Sequence, residues 1–225
     1  MRIGVGCPIF EREWCLPRWF QCLFNQRVNP KNIDLVFAYT PGTDATMEII
    51  EKYGSKFGSL SILDCADLPA FKERDNERFF PLVILRNRII DKLREIQPDF
   101  YFSYDSDIII PEGCLKTLIK DNKDIVGPWL DLVPPGLIPN CASIEGKDGF
   151  VRRKPYALHY PQSGLYKVDT VFAAFLMKNE VFNSCTYAWH PAGEDFGWAL
   201  DVRSKGFESW MNGDIIANHL YRKDI

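Results

Sequence analysis

The chain has 225 residues (26.0 kDa), 46% of them hydrophobic and 14% aromatic, and 30 acidic against 27 basic side chains leave a formal charge of −3. Such a near-neutral, apolar-rich chain excludes a disordered polypeptide, a collagen, a coiled coil and a histone-like electrostatic binder of nucleic acid. No uncharged apolar run approaches the ~18 residues of a membrane span, and Glu11, Arg12 and Glu13 interrupt any signal-peptide segment, so a cytoplasmic protein is expected. The seven cysteines are odd in number, widely spaced and without a CxxC pair. They read as reduced, mostly buried thiols rather than a disulfide framework or a zinc knuckle.

Arg2 to Ile9 is an apolar run suited to a strand buried on both faces of a parallel sheet. Leu16, Trp19, Phe20, Leu23 and Phe24 then follow at helical spacing, with Pro17 fitted to the first turn. Asp34 to Tyr39 reads as a second strand closed by Pro41-Gly42, after which Thr43 or Asp44 can cap a helix reaching about Tyr53. Leu60 to Cys65 is a third strand and Phe71 to Arg78 a polar loop. After Pro81, residues Leu82, Leu85, Ile89, Leu93 and Ile96 mark one face of a long helix, with Arg86, Arg88, Lys92 and Arg94 off that face. Tyr101 to Tyr104 is a fourth strand that runs into Asp105-Ser106-Asp107. Pro111 and Glu112 open a helix to about Lys120, and Asp124 to Leu130 is a fifth strand. This alternation predicts a single α/β domain, residues 1–225, with a mostly parallel, doubly wound central sheet flanked by helices.

From Asp131 to Ser163 the pattern stops. That stretch carries five prolines and the basic run Arg152-Arg153-Lys154, and reads as a structureless lid or binding loop. Tyr166 to Lys178 forms strands flanking a turn, Asp195 to Lys205 a helix stopped by Gly206, and Phe207 to Met211 a last strand, with Asn218-His219 in a short tail.

Asp105-Ser106-Asp107 places two carboxylates at the end of a buried strand, where open α/β sheets bind ligands. Two like charges held together favour a divalent cation as partner, although a polar strand end would look the same. Gly193-Glu194-Asp195 sets carboxylates at a helix start, where the macrodipole favours the ionised form and a general base is well placed; Asp and Glu are also ordinary first-turn residues. Arg86-Asn87-Arg88 can grip phosphate through guanidinium forks or form the solvated face of its helix. Gly4-Val5-Gly6 lacks the third glycine of a dinucleotide fingerprint, which would fall at Ile9, and neither GxxxxGK[ST] nor GxSxG occurs.

Taken in order, these pieces resemble a glycosyltransferase of the GT-A fold, most closely the family 2 type. Pro8-x-Phe10-x-Arg12 with Leu16 and Asn25-Gln26 is similar to the family's opening strand and helix. Arg86-Asn87 resembles its "ARN" helix, Asp105-Ser106-Asp107 its DxD motif, Gly193-Glu194-Asp195 its "ED" motif and His219 its C-terminal metal-binding histidine. The chain departs at Ala38-Tyr39-Thr40-Pro41-Gly42, where the family carries an Asp-Asp-Gly-Ser-like turn, and near Glu11, where its asparagine is missing.

The resemblance implies a metal-dependent, inverting transfer of a sugar from a nucleotide-sugar donor to the hydroxyl of a glycan, a lipid-linked precursor, a protein or a modified nucleic-acid base. Mn²⁺ or Mg²⁺ would be held by Asp107 with Asp105 and His219, Asp105 also serving the ribose. Asp195, or Glu194 in its place, would be the base. Pro8, Phe10, Asp64 and Arg86 would contact the donor, with Arg88 as a further phosphate ligand, and Trp129 and Trp198 the acceptor. Residues 1–130 would form the donor half, 131–163 a lid carrying Tyr156, His159 and Tyr160, and 164–225 the acceptor and catalytic half. A nucleotidyltransferase, a nucleotide-sugar hydrolase and a non-catalytic sugar-binding relative are the alternatives. The first would show a basic glycine-rich loop that Gly4-Val5-Gly6 lacks, and the last would have lost one carboxylate cluster.

Overall fold

The computed structural model describes residues 1–69, 78–133, 138–145, 150–152 and 163–221. Strands β1 (Ile3–Ile9), β2 (Ile33–Tyr39), β3 (Ser59–Asp64) and β4 (Phe100–Tyr104) form a parallel run in the order β3-β2-β1-β4. The sheet continues past β4 through β12 (Ala174–Lys178), β6 (Ile125–Val133), β13 (Ser209–His219) and β10 (Leu165–Val168). Of these eight strands, β12 and β10 run against the other six. Helices α1 (Leu16–Phe24), α2 (Thr46–Gly54), α3 (Phe79–Ile96), α4 (Cys114–Asp121), α5 (Asn179–Ser184) and α6 (Glu194–Ser204) complete an α/β domain with a mostly parallel sheet, as the alternation predicts.

Two-residue periodicity divides the core. Along β2, Leu35, Phe37 and Tyr39 join one apolar cluster, while Val36 and Ala38 join the other; in β4, Phe102 and Tyr104 part in the same way from Tyr101. The first cluster is filled by α1: Trp19 stacks on Tyr104 at 4.8 Å and meets Phe20 edge-on at 5.0 Å. The second is filled by Leu85, Ile89, Ile90 and Leu93 of α3. A strand covered on both faces has no polar side to show, which is why β1 and β2 are apolar almost throughout.

Three expectations change. Residues 131–163 are not structureless where described: β6 runs on to Val133, β7 (Ile138–Pro139) pairs with it, and β8 (Cys141–Glu145) joins β9 (Phe150–Arg152) and β11 (Thr170–Val171) in a second, three-stranded sheet. The buried Asn140 makes this possible. Its Oδ1 accepts from the Leu130 amide (2.9 Å) and its Nδ2 donates to the carbonyls of Pro128 (3.0 Å) and Phe172 (3.2 Å), so a side chain replaces ladder bonds at the crossing. The rest of the expected lid, including Tyr156, His159 and Tyr160, lies outside the described residues, as does most of the polar loop before α3.

Second, the last strand is longer than expected. It passes a register shift between Asn212 and Ile216 and ends at His219, which is therefore in a strand and not in a tail. Third, Arg86 is not on a solvated helix face but is buried with Leu85 and Ile89. All seven cysteines are free, and only Cys22 is not fully buried. Burial pushes the Cys15 thiol up to about 12 and Cys185 to about 11, against the ionisation a nucleophile needs. No helix among the described residues is long and apolar enough to cross a membrane.

Helix α6 packs so closely on residue 188 that a Cβ at Gly197 would overlap the Ala188 carbonyl. Gly197→Ala is expected to destabilise the protein by about 1–3 kcal/mol, the usual range for overpacking a tight contact. Urea unfolding would measure it, and an unchanged midpoint would contradict the packing.

Candidate active site

The sheet's C-terminal edge opens into a cavity of about 360 Å³. The chain reaches it first at β4. Asp105 follows that strand, its amide donating to the Ala173 carbonyl (2.8 Å), and the amide of Ile108 returns to the Asp105 carbonyl (3.2 Å) to close a turn over Asp105-Ser106-Asp107. The hydroxyl of Tyr104 donates to the Ile108 carbonyl (2.8 Å), so the turn is tied to the stacked core below it. Strand β5 (Ile108–Ile109) then pairs with the end of β13, Ile108 opposite His219, and the Leu220 amide donates to the Asp107 carbonyl (2.7 Å). This pairing brings His219 Nε2 to 4.0 Å from Asp107 Oδ1.

The opposite wall is the first turn of α6. Gly193, at φ 129°, turns the chain into the helix through a conformation that L side chains rarely adopt. Glu194 and Asp195 occupy the helix N-terminus, where the macrodipole favours negative charge. Glu194 is buried and Asp195 half-buried.

Arg86 joins the two walls. Its guanidinium, 5% exposed, donates from Nε to Glu194 Oε1 (3.2 Å), from Nη1 to Ser103 Oγ (3.4 Å) and from Nη2 to Asp105 Oδ1 (3.2 Å). It lies over the Tyr187 ring (5.6 Å), which itself stacks on Trp198 (4.6 Å). Burial opposes its charge, but Asp105, Asp195, Tyr187 and Glu194 outweigh that and hold the guanidinium well above its ordinary value. Burial raises the Asp105 carboxyl, with Arg86 opposing and Asp107 and Glu194 adding to the rise. The neighbouring Asn87 exchanges hydrogen bonds with the Tyr187 backbone (both 2.9 Å), fixing α3 to the segment that precedes α6.

Of the residues singled out from the sequence, Pro8, Arg86, Asp105, Asp107, Glu194, Asp195 and His219 line this cavity. Four others do not. Trp129 and Trp198, expected at the acceptor, are 4% and 2% exposed and belong to the apolar core, Trp198 supporting the Tyr187–Arg86 stack. Asp64 is exposed at the end of β3, where its Oδ1 caps the Ala66 amide (2.9 Å). Phe10 is not among the lining residues; its carbonyl accepts from Arg12. Arg88, the further phosphate ligand, pairs instead with Asp67 through both terminal nitrogens. The cavity adds Arg12, Ser106, Phe172 and Phe196, among others, to which the sequence attached no role. Arg12 stood inside a quoted motif, so the signal was present without a role attached.

Among the described residues no group of three or more His, Cys, Asp or Glu side chains converges as a metal site. Asp107 Oδ1 and His219 Nε2 are spaced so that one cation with bonds of about 2.1 Å could touch both, the usual partial protein shell of a metal that also binds substrate phosphate. The His219 Nδ1 is buried without a hydrogen-bond partner among the described residues.

Removing Arg86 would leave two carboxylates facing each other across the seam. Arg86→Met is expected to lower stability by about 3–5 kcal/mol, as for other broken buried ion pairs. The double variant with Glu194→Leu should recover part of that in urea unfolding, and a single-variant loss below about 1 kcal/mol would contradict the assignment.

Residues 65–203, well over half of the chain, match the family model described as "Glycosyltransferase family 25, N-terminal domain". No curated protein matches the chain. Similar solved structures include S. aureus TarS 1-349 (TM-score 0.61, 16% identity, covering 96% of this chain and 60% of that one). The same protein in complex with UDP-GlcNAc matches at TM-score 0.62 and 15% identity, over 99% and 60%. GalNAc-T7 with UDP, GalNAc and Mn²⁺ matches at TM-score 0.67 and 14% identity, over 99% and 44%. The likeness at these identities is one of fold, and this chain spans about 60% or less of the length of each. The sequence resemblance was to GT-A glycosyltransferases of the family 2 type; the matching model carries the family 25 description. With the fold and the family match together, the chain belongs to the glycosyltransferase family 25 N-terminal-domain family and has the GT-A fold.

Proposed function

We propose that this protein transfers a sugar from a nucleotide-sugar donor to an acceptor hydroxyl, with a divalent metal and inversion at the anomeric carbon. The observation that carries the reading is the convergence in one cavity of the Asp105–Asp107 turn, His219 and the first turn of α6. Both carboxylate clusters are retained and face one space, which favours a transferase over a sugar-binding relative. Residues 1–130 would hold the donor and 164–225 the acceptor side.

Asp107 and His219 would hold Mn²⁺ or Mg²⁺, and the ion, when bound, would neutralise charge on the leaving diphosphate. Asp105 would act from its place against Arg86, on the ribose, rather than as a full metal ligand. Asp195 is the proposed base. Glu194 commits its charge to the buried Arg86, whereas Asp195, one residue on, is half-buried and lines the cavity. It would take the proton from the acceptor hydroxyl as that oxygen attacks the anomeric carbon, and single displacement inverts the configuration. Phe79, Phe172 and Phe196 line the cavity and would take the acceptor-contacting role expected of Trp129 and Trp198.

The neighbours solved with UDP, UDP-GlcNAc and Mn²⁺ make UDP-sugars the first donors to test. Thermal unfolding with UDP-, GDP-, CMP- and dTDP-sugars, with and without Mn²⁺, should single out one base. A ligand at 100 times its dissociation constant stabilises by about 2.7 kcal/mol. Asp107→Asn should abolish the Mn²⁺-dependent part of the shift, and an unaltered shift would remove Asp107 from the metal. Asp195→Asn should keep donor affinity and slow turnover by about 10²-fold or more, the usual share of a general base. Full turnover in that variant, with loss in Glu194→Gln, would transfer the role to Glu194.

A further inference from the structure

Two of the arginines that line the cavity, Arg86 and Arg12, differ in what neutralises them. Arg86 is spent on Glu194 and Asp105, so the residue that motif order offers as a phosphate ligand has its charge committed inward. Arg12 is half-buried in the same cavity, and all its hydrogen-bond acceptors are neutral. Its Nε donates to Ser106 Oγ (3.2 Å), and its Nη1 to the carbonyls of Phe10 (3.0 Å) and Glu11 (3.3 Å). Among the described residues Nη2 has no acceptor and no carboxylate lies within ion-pair distance; Asp44 feels the charge only at longer range.

The backbone around Arg12 is built to hold it. Its amide donates to Thr46 Oγ1 (2.6 Å), and its carbonyl accepts from the amides of Cys15 (3.1 Å) and Leu16 (3.0 Å) at the start of α1. Glu11, near where the family's asparagine is missing, stands at φ 46°, in the left-handed region, and its carbonyl is one of those holding the guanidinium. Strain of that kind persists where surrounding contacts impose it, and it gathers at ligand clamps. Ser106, the third contact, stands between Asp105 and Asp107, so the cation is fixed beside the proposed metal residues.

Electrostatics define the ligand. Four carboxylates (Asp105, Asp107, Glu194, Asp195) outnumber the three arginines (Arg12, Arg78, Arg86) that line the cavity, so a diphosphate entering it needs a cation at the point of contact. A guanidinium with one nitrogen unoccupied and no counter-ion matches phosphate oxygens in charge and geometry. We propose that Arg12 binds the diphosphate of the nucleotide-sugar donor, and that Arg86 braces the site from behind. This inference rests on the glycosyltransferase reading.

The test is equilibrium binding of inorganic pyrophosphate, UDP and uridine in the presence of Mn²⁺ to the wild type, Arg12→Gln and Arg12→Lys. Pyrophosphate serves as a probe that does not depend on the donor base. Arg12→Gln is expected to weaken pyrophosphate and UDP by about tenfold or more and to leave uridine unchanged, with Arg12→Lys between the two. Affinities for pyrophosphate and UDP within about twofold of wild type in Arg12→Gln would overturn the assignment while sparing the glycosyltransferase reading. Failure of the wild type to bind either pyrophosphate or any nucleoside diphosphate would overturn both. Should Arg12→Gln not fold by circular dichroism, Arg12→Lys decides: a loss of about threefold or more sustains the role and parity refutes it.

Discussion

A guanidinium buried between two carboxylates organises this molecule. Arg86 leaves the middle of α3 toward the sheet and meets Asp105 at the end of β4 and Glu194 at the start of α6. Taking an ion out of water is unfavourable by several kcal/mol, so none of the three is tolerable there without the others. The separation of the strand end from the helix start is therefore fixed by the reach of one side chain. Beneath it the Tyr187 ring and then Trp198 form a stack, and Asn87 pins the same segment through the backbone of Tyr187. The cavity thus has a rigid rear wall made of charge and aromatic rings.

The same arrangement sorts the carboxylates. Each wall carries two, spaced closely in sequence; all four line the cavity, and in each pair the first is bound to Arg86 while the second makes no ion pair with it. Four like charges in one cleft would repel strongly; with the inner two neutralised by a shared cation, the outer two, Asp107 and Asp195, stand against a lower background. This gives a physical reason why a pair of acidic residues recurs in each motif although the proposed chemistry uses one from each.

Much of the architecture was legible because buried parallel strands must be apolar and amphipathic helices periodic. Arg2 to Ile9 and Asp34 to Tyr39 leave little else to read, and they became β1 and β2 within one residue. The chemistry was legible where carboxylates coincide with element ends, as at Asp105–Asp107 and Glu194–Asp195. Arg86 was harder: a charged residue adjoining an apolar helix stripe looks solvated until its distant partners are known, and those come from β4 and α6. Trp129 and Trp198 were misassigned because an aromatic ring fills a core as well as it stacks on a sugar, and composition does not separate the two. Prolines concealed β7 to β9, whose pairing around Asn140 depends on a side-chain crossing that no periodicity reports.

The junction of β5 with β13 carries a kinetic meaning beyond its geometry. His219 meets Asp107 only because a two-residue strand pairs with a strand from a remote part of the sequence. Contacts of such long sequence separation close late, since the loop entropy must be overcome before they contribute. The β1–β4 pairing spans a similar separation, Ile3 opposite Phe100, so the Asp107–His219 pair is one of two long-range closures on which the cavity depends. Maturation of the site is thereby tied to the slow, non-local part of folding and not to the formation of its helices.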